Sequence, residues 1–135
     1  MKVLQLHCTH FEYVATKKTP VAIGDGGSGS FDNVLVCFTT YEKYDENRHE
    51  EIIKTYKQKL LTDFERMKFK TVLIHPYAHL STNLGSQKKA IQFLEELKHA
   101  LRATPYTVFQ SPFGWYKAWK TEVKGHPLAD AFREY

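Results

Sequence analysis

The sequence predicts a two-layer α/β (α+β) domain: a mixed sheet with two amphipathic helices packed on one face. Three observations carry this prediction. Alternating or continuously β-branched apolar segments occur before, between and after two stretches with helical apolar spacing. Each helical stretch has one apolar stripe, so each covers a sheet on one side only. At 135 residues, with 42% hydrophobic and 25% charged side chains, the chain can bury a core without disulfides or metal. It reads as one domain over residues 1–135.

Residues 2–7 alternate around Val3, Leu4 and Leu6 and predict an opening strand. A second extended piece is expected over 11–16. Residues 17–30 are polar and glycine-rich, centred on Gly24-Asp25-Gly26-Gly27-Ser28-Gly29-Ser30. No Gly-Lys-Ser/Thr follows and no helix pattern starts there, so this is a flexible hairpin loop and not a phosphate cradle. Residues 31–41 contain Val34-Leu35-Val36-Cys37-Phe38-Thr39-Thr40, a central strand. Asn47 with Glu50 three residues later predicts a capped helix start. Ile53, Tyr56, Leu60, Phe64 and Met67 form its stripe, and the helix ends near Lys68. Residues 71–75 are a short buried strand stopped by Pro76, followed by a loop over 77–83. A second helix spans 86–102, with Ala90, Ile91, Leu94, Leu97 and Leu101 as its stripe and Pro105 beyond it. Residues 106–110 are a strand, Ser111-Pro112-Phe113-Gly114 a turn, and 115–124 a long alternating strand. Gly125-His126-Pro127 breaks it, and 128–135 is expected to be a short helical tail.

Composition excludes several functions. No apolar run reaches about 18 residues, so no transmembrane helix and no membrane partner are expected. The first eight residues are too short and polar for a secretory signal. Cys8 and Cys37 are the two cysteines, and neither has a second thiol at a metal spacing. A zinc ribbon and a disulfide framework are excluded, and a reducing, cytoplasmic location is expected. Lys and Arg outnumber Asp and Glu by 19 to 15. That balance permits an anionic partner such as RNA without demanding one. Lys88-Lys89 opens a helix against its dipole, a weak pointer to an anion there.

The last long strand holds the strongest candidate for chemistry. Period-two alternation places Trp115, Lys117, Trp119, Thr121 and Val123 on one face. A lysine between two tryptophans is desolvated and becomes a site candidate. The plainer reading is a lysine that snorkels to an edge with cation–π support. His75-Pro76-Tyr77-Ala78-His79 is the second candidate. Its histidine spacing suits a metal on a helix, but Pro76 argues against a helix there. His79 is therefore expected in a loop beyond the carboxyl end of a strand, where α/β sheets bind ligands. His7, Cys8 and His10 assemble into a metal site only on paper, and no metal is expected. No Gly-x-Ser-x-Gly elbow exists, and the cysteines read as core residues.

Two longer segments bear a resemblance. Val72-Leu73-Ile74-His75-Pro76-Tyr77-Ala78-His79-Leu80-Ser81 resembles V-Y-P-F-A-H-L-S of archaeal threonyl-tRNA synthetases. Ser111-Pro112-Phe113-Gly114-Trp115-Tyr116-Lys117-Ala118-Trp119-Lys120 resembles their A-P-F-G-Y-Y-K-A-F-K, and Lys124-Gly125-His126-Pro127-Leu128-Ala129 follows at the family spacing. The resemblance implies an N-terminal editing domain with a fold like that of D-aminoacyl-tRNA deacylases, forming a homodimer. It implies hydrolysis of serine mischarged on tRNA(Thr), with the acceptor end of that tRNA as partner and no cofactor for editing. Serine lacks one methyl of threonine, and a missing methyl is worth only about 1–3 kcal/mol to a synthetic site, so a second site is needed.

By the same resemblance, Lys117, Tyr116 and His79 fall on editing-site positions. The main chain at Pro76 and Ala78 shapes the aminoacyl pocket, with Phe113 and Gly114 beside it. Tyr41 stands where the family has a small apolar residue. Asp130 stands where it has Glu, keeping the carboxylate with a shorter reach. The 2′-hydroxyl of the terminal adenosine is implied to take part in the chemistry, the alternative being His79 as general base. The chain is too short for an aminoacylation core or an anticodon-binding domain. An excised domain and a protein acting in trans beside a synthetase core both fit. Two other functions fit as well: a D-aminoacyl-tRNA deacylase, and a non-catalytic tRNA-binding or dimerisation module.

Overall fold

Six strands and two helices form in a computed structural model that describes residues 1–135. The order is β1 (Lys2–Lys18), β2 (Ser28–Thr40), α1 (His49–Met67), β3 (Thr71–Pro76), α2 (Gln87–Arg102), β4 (Thr107–Gln110), β5 (Trp115–Val123) and β6 (Asp130–Glu134). The sheet runs β4-β3-β2-β1-β5, with β6 also paired to β1. β2, β3 and β4 are parallel, and every pairing of β1 is antiparallel. Each parallel step is crossed by one helix, as parallel connections require. The expected mixed sheet with two helices is therefore observed.

Both helices cover the same face. Ile52, Tyr56 and Leu60 of α1 and Phe93, Leu94, Leu97 and Leu101 of α2 share one core with Leu35, Cys37, Val72 and Ile74. The opposite face carries a smaller cluster of Cys8, Phe11, Tyr13, Val34, Val36, Phe38 and Leu73. On that second face Phe109 and Phe132 remain exposed.

Four expectations change. The segments 2–7 and 11–16 are halves of a single strand. A bulge between Cys8 and His10, opposite left-handed Asn33 (φ 46°), interrupts the alternation. Cys8, Phe11 and Tyr13 therefore fall in one cluster despite their spacing. The glycine-rich stretch is shorter than expected because β2 begins at Ser28. Asn47 does not cap α1: Arg48 precedes the helix and no side chain caps it. Reciprocal capping instead closes the short turn Lys43–Asp45, where the Glu42 N–H donates to the Asp45 carboxylate at 2.7 Å. Finally, the tail is strand β6 and not a helix. It alternates exposed and half-buried side chains and extends the edge of β1 already occupied by β5. Arg133 of β6 reaches back to Asp63 of α1 at 2.5 Å. That charge-assisted bond explains how a carboxylate lies buried on the α1 stripe.

The start of α2 is as expected, with Ser86 accepting the Lys89 N–H at 3.4 Å. The Lys89 ammonium lies 3.4 Å from the Glu46 carboxylate. A local ion pair therefore answers part of the charge that had pointed to an anion.

Candidate active site

The carboxyl ends of parallel strands β2 and β3 splay against the beginning of β5, and a cavity of about 420 Å³ opens there. That volume falls in the range of about 300–1,000 Å³ typical of small-molecule sites. Thr39, Thr40 and Tyr41 continue from β2 into it, and His75 and Pro76 end β3 at its base. Trp115, Lys117 and Trp119 enter from β5, and Ala90 and Leu94 from α2.

Alternation on β5 does what the sequence requires of it. Lys117 pairs with Ala15 and Trp119 with Tyr13, on the face that holds Phe11 and Phe38. Trp119 stacks on Phe11 at 6.1 Å between ring centres. The Lys117 ammonium is half-buried and donates to the Trp115 carbonyl at 3.2 Å. It has no carboxylate partner, and burial lowers its pKa to about 8. Lys117 lines the cavity together with both tryptophans, and the cation–π contact on Trp115 comes from Lys18 and not from Lys117.

The loop after β3 is pinned to the end of β2. The Tyr77 N–H donates to the Thr39 carbonyl at 2.9 Å, and the Thr40 hydroxyl donates to the Tyr77 carbonyl. This holds Pro76, Tyr77, Ala78 and His79 along the cavity wall. His79 is exposed, sits in the short turn Ala78–Leu80, packs edge-on against Tyr77, and makes no side-chain hydrogen bond. Tyr116 is exposed at the rim, and Phe113 and Gly114 complete that side. Gly114 has φ +73°, and a Cβ there would come within 2.5 Å of the Val21 carbonyl.

Eight of the nine candidate residues thus line one cavity. Asp130 does not. It is exposed on β6, paired with Leu6, whereas Lys117 is paired with Ala15. Nine residues of β1 separate the two positions, about 30 Å along an extended strand.

Several site features lie outside the motifs. The glycine-rich hairpin does not swing free. Thr19 and Ile23 donate backbone N–H groups to the carbonyls of Gly114 and Phe113, both at 3.1 Å, and the Trp115 indole donates to the Ile23 carbonyl at 3.1 Å. Thr19 and Val21 thereby become cavity wall. Tyr41 is held by a chain of its own. Its hydroxyl lies 2.7 Å from His49 Nε2, and His49 Nδ1 lies 2.8 Å from Glu96. Burial pushes the Tyr41 hydroxyl up to about 12, so it stays protonated in this contact, and its ring lies against Gly85.

His75 is buried, with Nδ1 3.0 Å from the Ser111 hydroxyl. Burial, with Lys117 nearby, lowers its pKa to about 3. The unfolded chain takes up this proton near pH 6.5 while the folded chain refuses it. Stability from this group is therefore complete above about pH 6.5 and is lost progressively as pH falls toward 3. Between pH 7 and pH 5 the native chain is expected to lose about 2 kcal/mol more than His75→Phe, read from urea midpoints. Equal losses contradict a neutral buried His75.

No group of three or more His, Cys, Asp or Glu side chains is placed to hold a metal ion. His7 bonds to His126 and Asn33, and His10 to Asp32. Cys8 and Cys37 are buried, and burial pushes the Cys37 thiol up to about 12, far from a reactive thiolate. No helix is long and apolar enough to cross a membrane.

Fold and cavity together define an α+β domain with a candidate ligand cavity at the carboxyl ends of its parallel strands. Residues 1–135 match the family model of the archaea-specific editing domain of threonyl-tRNA synthetase, and the chain belongs to that family. It is similar to threonine–tRNA ligases of Methanobrevibacter smithii (40% identical over 98% of this chain), Methanocaldococcus jannaschii (35% over 99%) and Thermococcus sibiricus (36% over 98%). It spans about 22% of the length of each of these relatives. Among solved structures, a c-Myc DNA unwinding element binding protein shares the fold, with a TM-score of 0.66, 11% identity, and coverage of 100% of this chain and 99% of that one.

Proposed function

We propose that this chain is a proofreading hydrolase that removes L-serine from mischarged tRNA(Thr). The observation that carries this reading is Lys117: an unpaired ammonium on an apolar strand face, turned into a cavity and ringed by the other motif residues. Hydrolysis of an aminoacyl ester needs a positioned water and stabilisation of the oxyanion, and no protein nucleophile. Water adds to the ester carbonyl carbon, the carbonyl electrons move onto oxygen, and the 3′-oxygen then leaves with a proton from the water. The products are free serine and tRNA with its 3′-hydroxyl restored. Lys117 binds the substrate or the attacking water through its charge. His79 and Tyr116, at the rim, position the terminal sugar and the aminoacyl end. The main chain of Pro76 and Ala78, the Tyr41 ring and the Phe113–Gly114 turn shape the pocket. No cofactor is needed for these steps.

The partner is the acceptor end of tRNA(Thr) carrying serine, delivered by a synthetase core in cis or in trans. A homodimer, as the family resemblance implies, is part of this reading. Single-turnover assays with L-seryl-tRNA(Thr) and D-aminoacyl-tRNA test the reaction class. Release of L-serine is expected. Release of D-amino acids alone, or binding without hydrolysis, contradicts the proposal.

The charge on Lys117 sets a second expectation. The ammonium is present below about pH 8 and is lost as pH rises through that value. The ratio of enzymatic to spontaneous hydrolysis should fall above about pH 8. A ratio that stays constant from pH 6.5 to 9.5 contradicts a role for the charge.

A further inference from the structure

His75 is a polar side chain inside an aromatic cage. Phe11, Tyr13 and Phe38 surround its ring, with centres at 5.6, 5.9 and 4.9 Å, and the residue is 1% exposed. Its hydrogen position follows from its one partner. Ser111 is fully buried, and its hydroxyl meets only His75 Nδ1, at 3.0 Å. A buried hydroxyl with a single partner able to accept donates to it. Nδ1 is therefore the acceptor, and the ring hydrogen sits on Nε2. Ser111 is itself fixed, its backbone N–H donating to the Ile74 carbonyl at 3.0 Å. The ring is clamped between the end of β3 and the turn after β4.

Nε2–H has no protein acceptor, yet it is not among the sealed, unpaired polar atoms of the chain. Since His75 lines the cavity, this donor opens onto it. With no protein acceptor, the donor is free to take a ligand acceptor. Lys117 shares the same cavity. The α-ammonium of an aminoacyl group has only donors and is repelled by Lys117, so it does not answer this pair. An oxygen that gains charge does.

We propose that His75 is a catalytic residue whose Nε2–H, beside the Lys117 ammonium, binds the ester carbonyl oxygen and stabilises it as it becomes the oxyanion. This rests on the deacylase reading above. As water adds to the carbonyl carbon, the electron pair moves onto that oxygen, and on collapse the 3′-oxygen leaves with a proton from the water. His75 neither gains nor loses a proton. Burial and Lys117 keep it neutral, with a pKa near 3, so it stays a donor across the working range.

The test combines rates with a ring-nitrogen signal. In single turnover on L-seryl-tRNA(Thr), His75→Phe should be slower by at least about 10²-fold, the usual cost of an oxyanion donor, with substrate binding little changed. His75→Gln, which restores an N–H at similar reach, should recover at least about tenfold of that loss. Nitrogen-15 NMR of the native protein should show the hydrogen on Nε2, and that signal should move when serine amide-linked to 3′-amino-3′-deoxyadenosine is added. A native enzyme that hydrolyses L-seryl-tRNA(Thr) while His75→Phe matches its rate overturns the assignment. So does a hydrogen on Nδ1, or an Nε2 signal unmoved by the saturating amide. If the native protein does not hydrolyse L-seryl-tRNA(Thr), the deacylase reading fails, and the amide titration still decides whether His75 donates to an aminoacyl oxygen.

Discussion

Lys117→Met is expected to slow the deacylation of L-seryl-tRNA(Thr) by at least about 10²-fold in single turnover, the scale of losing one charged group at a developing oxyanion. Methionine keeps most of the length and apolar contact of the lysine stem, so the strand face between Trp115 and Trp119 stays filled. The ammonium carries no salt bridge, and its one bond is to a backbone carbonyl. Its removal therefore leaves no buried charge orphaned, and the folded state should persist. A near-native rate from a folded Lys117→Met protein contradicts the proposed role.

The second large effect belongs to the substrate. Lys117, His79 and Tyr116 are the candidate groups from the motifs, and none is a nucleophile. His79 is exposed, in a short turn, with no carboxylate to fix its tautomer. A general base of the Ser-His-Asp kind is oriented by a third group, and His79 lacks one. Following the family resemblance, we propose that the 2′-hydroxyl of the terminal adenosine takes part in the chemistry, with the protein holding the water. Seryl-tRNA(Thr) lacking that hydroxyl, with serine on the 3′-oxygen, is expected to bind normally and to be hydrolysed at least about 10²-fold more slowly, as for loss of an acid–base partner. Normal cleavage of this substrate, together with an inactive His79→Ala, makes His79 the general base instead.

What the sequence disclosed divides along physical lines. Strands and helices with strong periodicity were legible: Val34 to Thr40, the β5 alternation that brings Lys117 to the cavity, and the α2 stripe except that Phe93, and not Ile91, enters the core. Features set by long-range pairing were not. The bulge at Thr9 and left-handed Asn33 joins two apparent strands into one, and no local pattern marks it. Residues 130–134 alternate too briefly to outweigh a helical reading, and only the free edge of β1 and the Arg133–Asp63 bond make them a strand. The site was legible through its motifs, but its supports were not. Glu96 lies 47 residues beyond His49, and polar residues on the surfaces of two helices carry no signal that they meet. The glycine-rich hairpin looked flexible because its anchors, Phe113 to Trp115, lie about ninety residues further on. Asp130 was placed at the site by resemblance alone, and its strand register puts it on the other half of β1.

Proofreading is useful only if the correct product survives, so discrimination between serine and threonine is the most direct test. Single-turnover rates on L-seryl-tRNA(Thr) and L-threonyl-tRNA(Thr), measured side by side with the native chain, supply it. The cavity is walled by rigid groups: the Tyr41 ring held through His49 and Glu96, the pinned loop at Pro76 to Ala78, and the Phe113–Gly114 turn. A wall that excludes one methyl is worth about 1–3 kcal/mol, or about 10–200-fold. The account predicts that seryl-tRNA(Thr) is hydrolysed faster than threonyl-tRNA(Thr) by at least about tenfold. Equal rates for the two, or faster loss of threonine, contradict it.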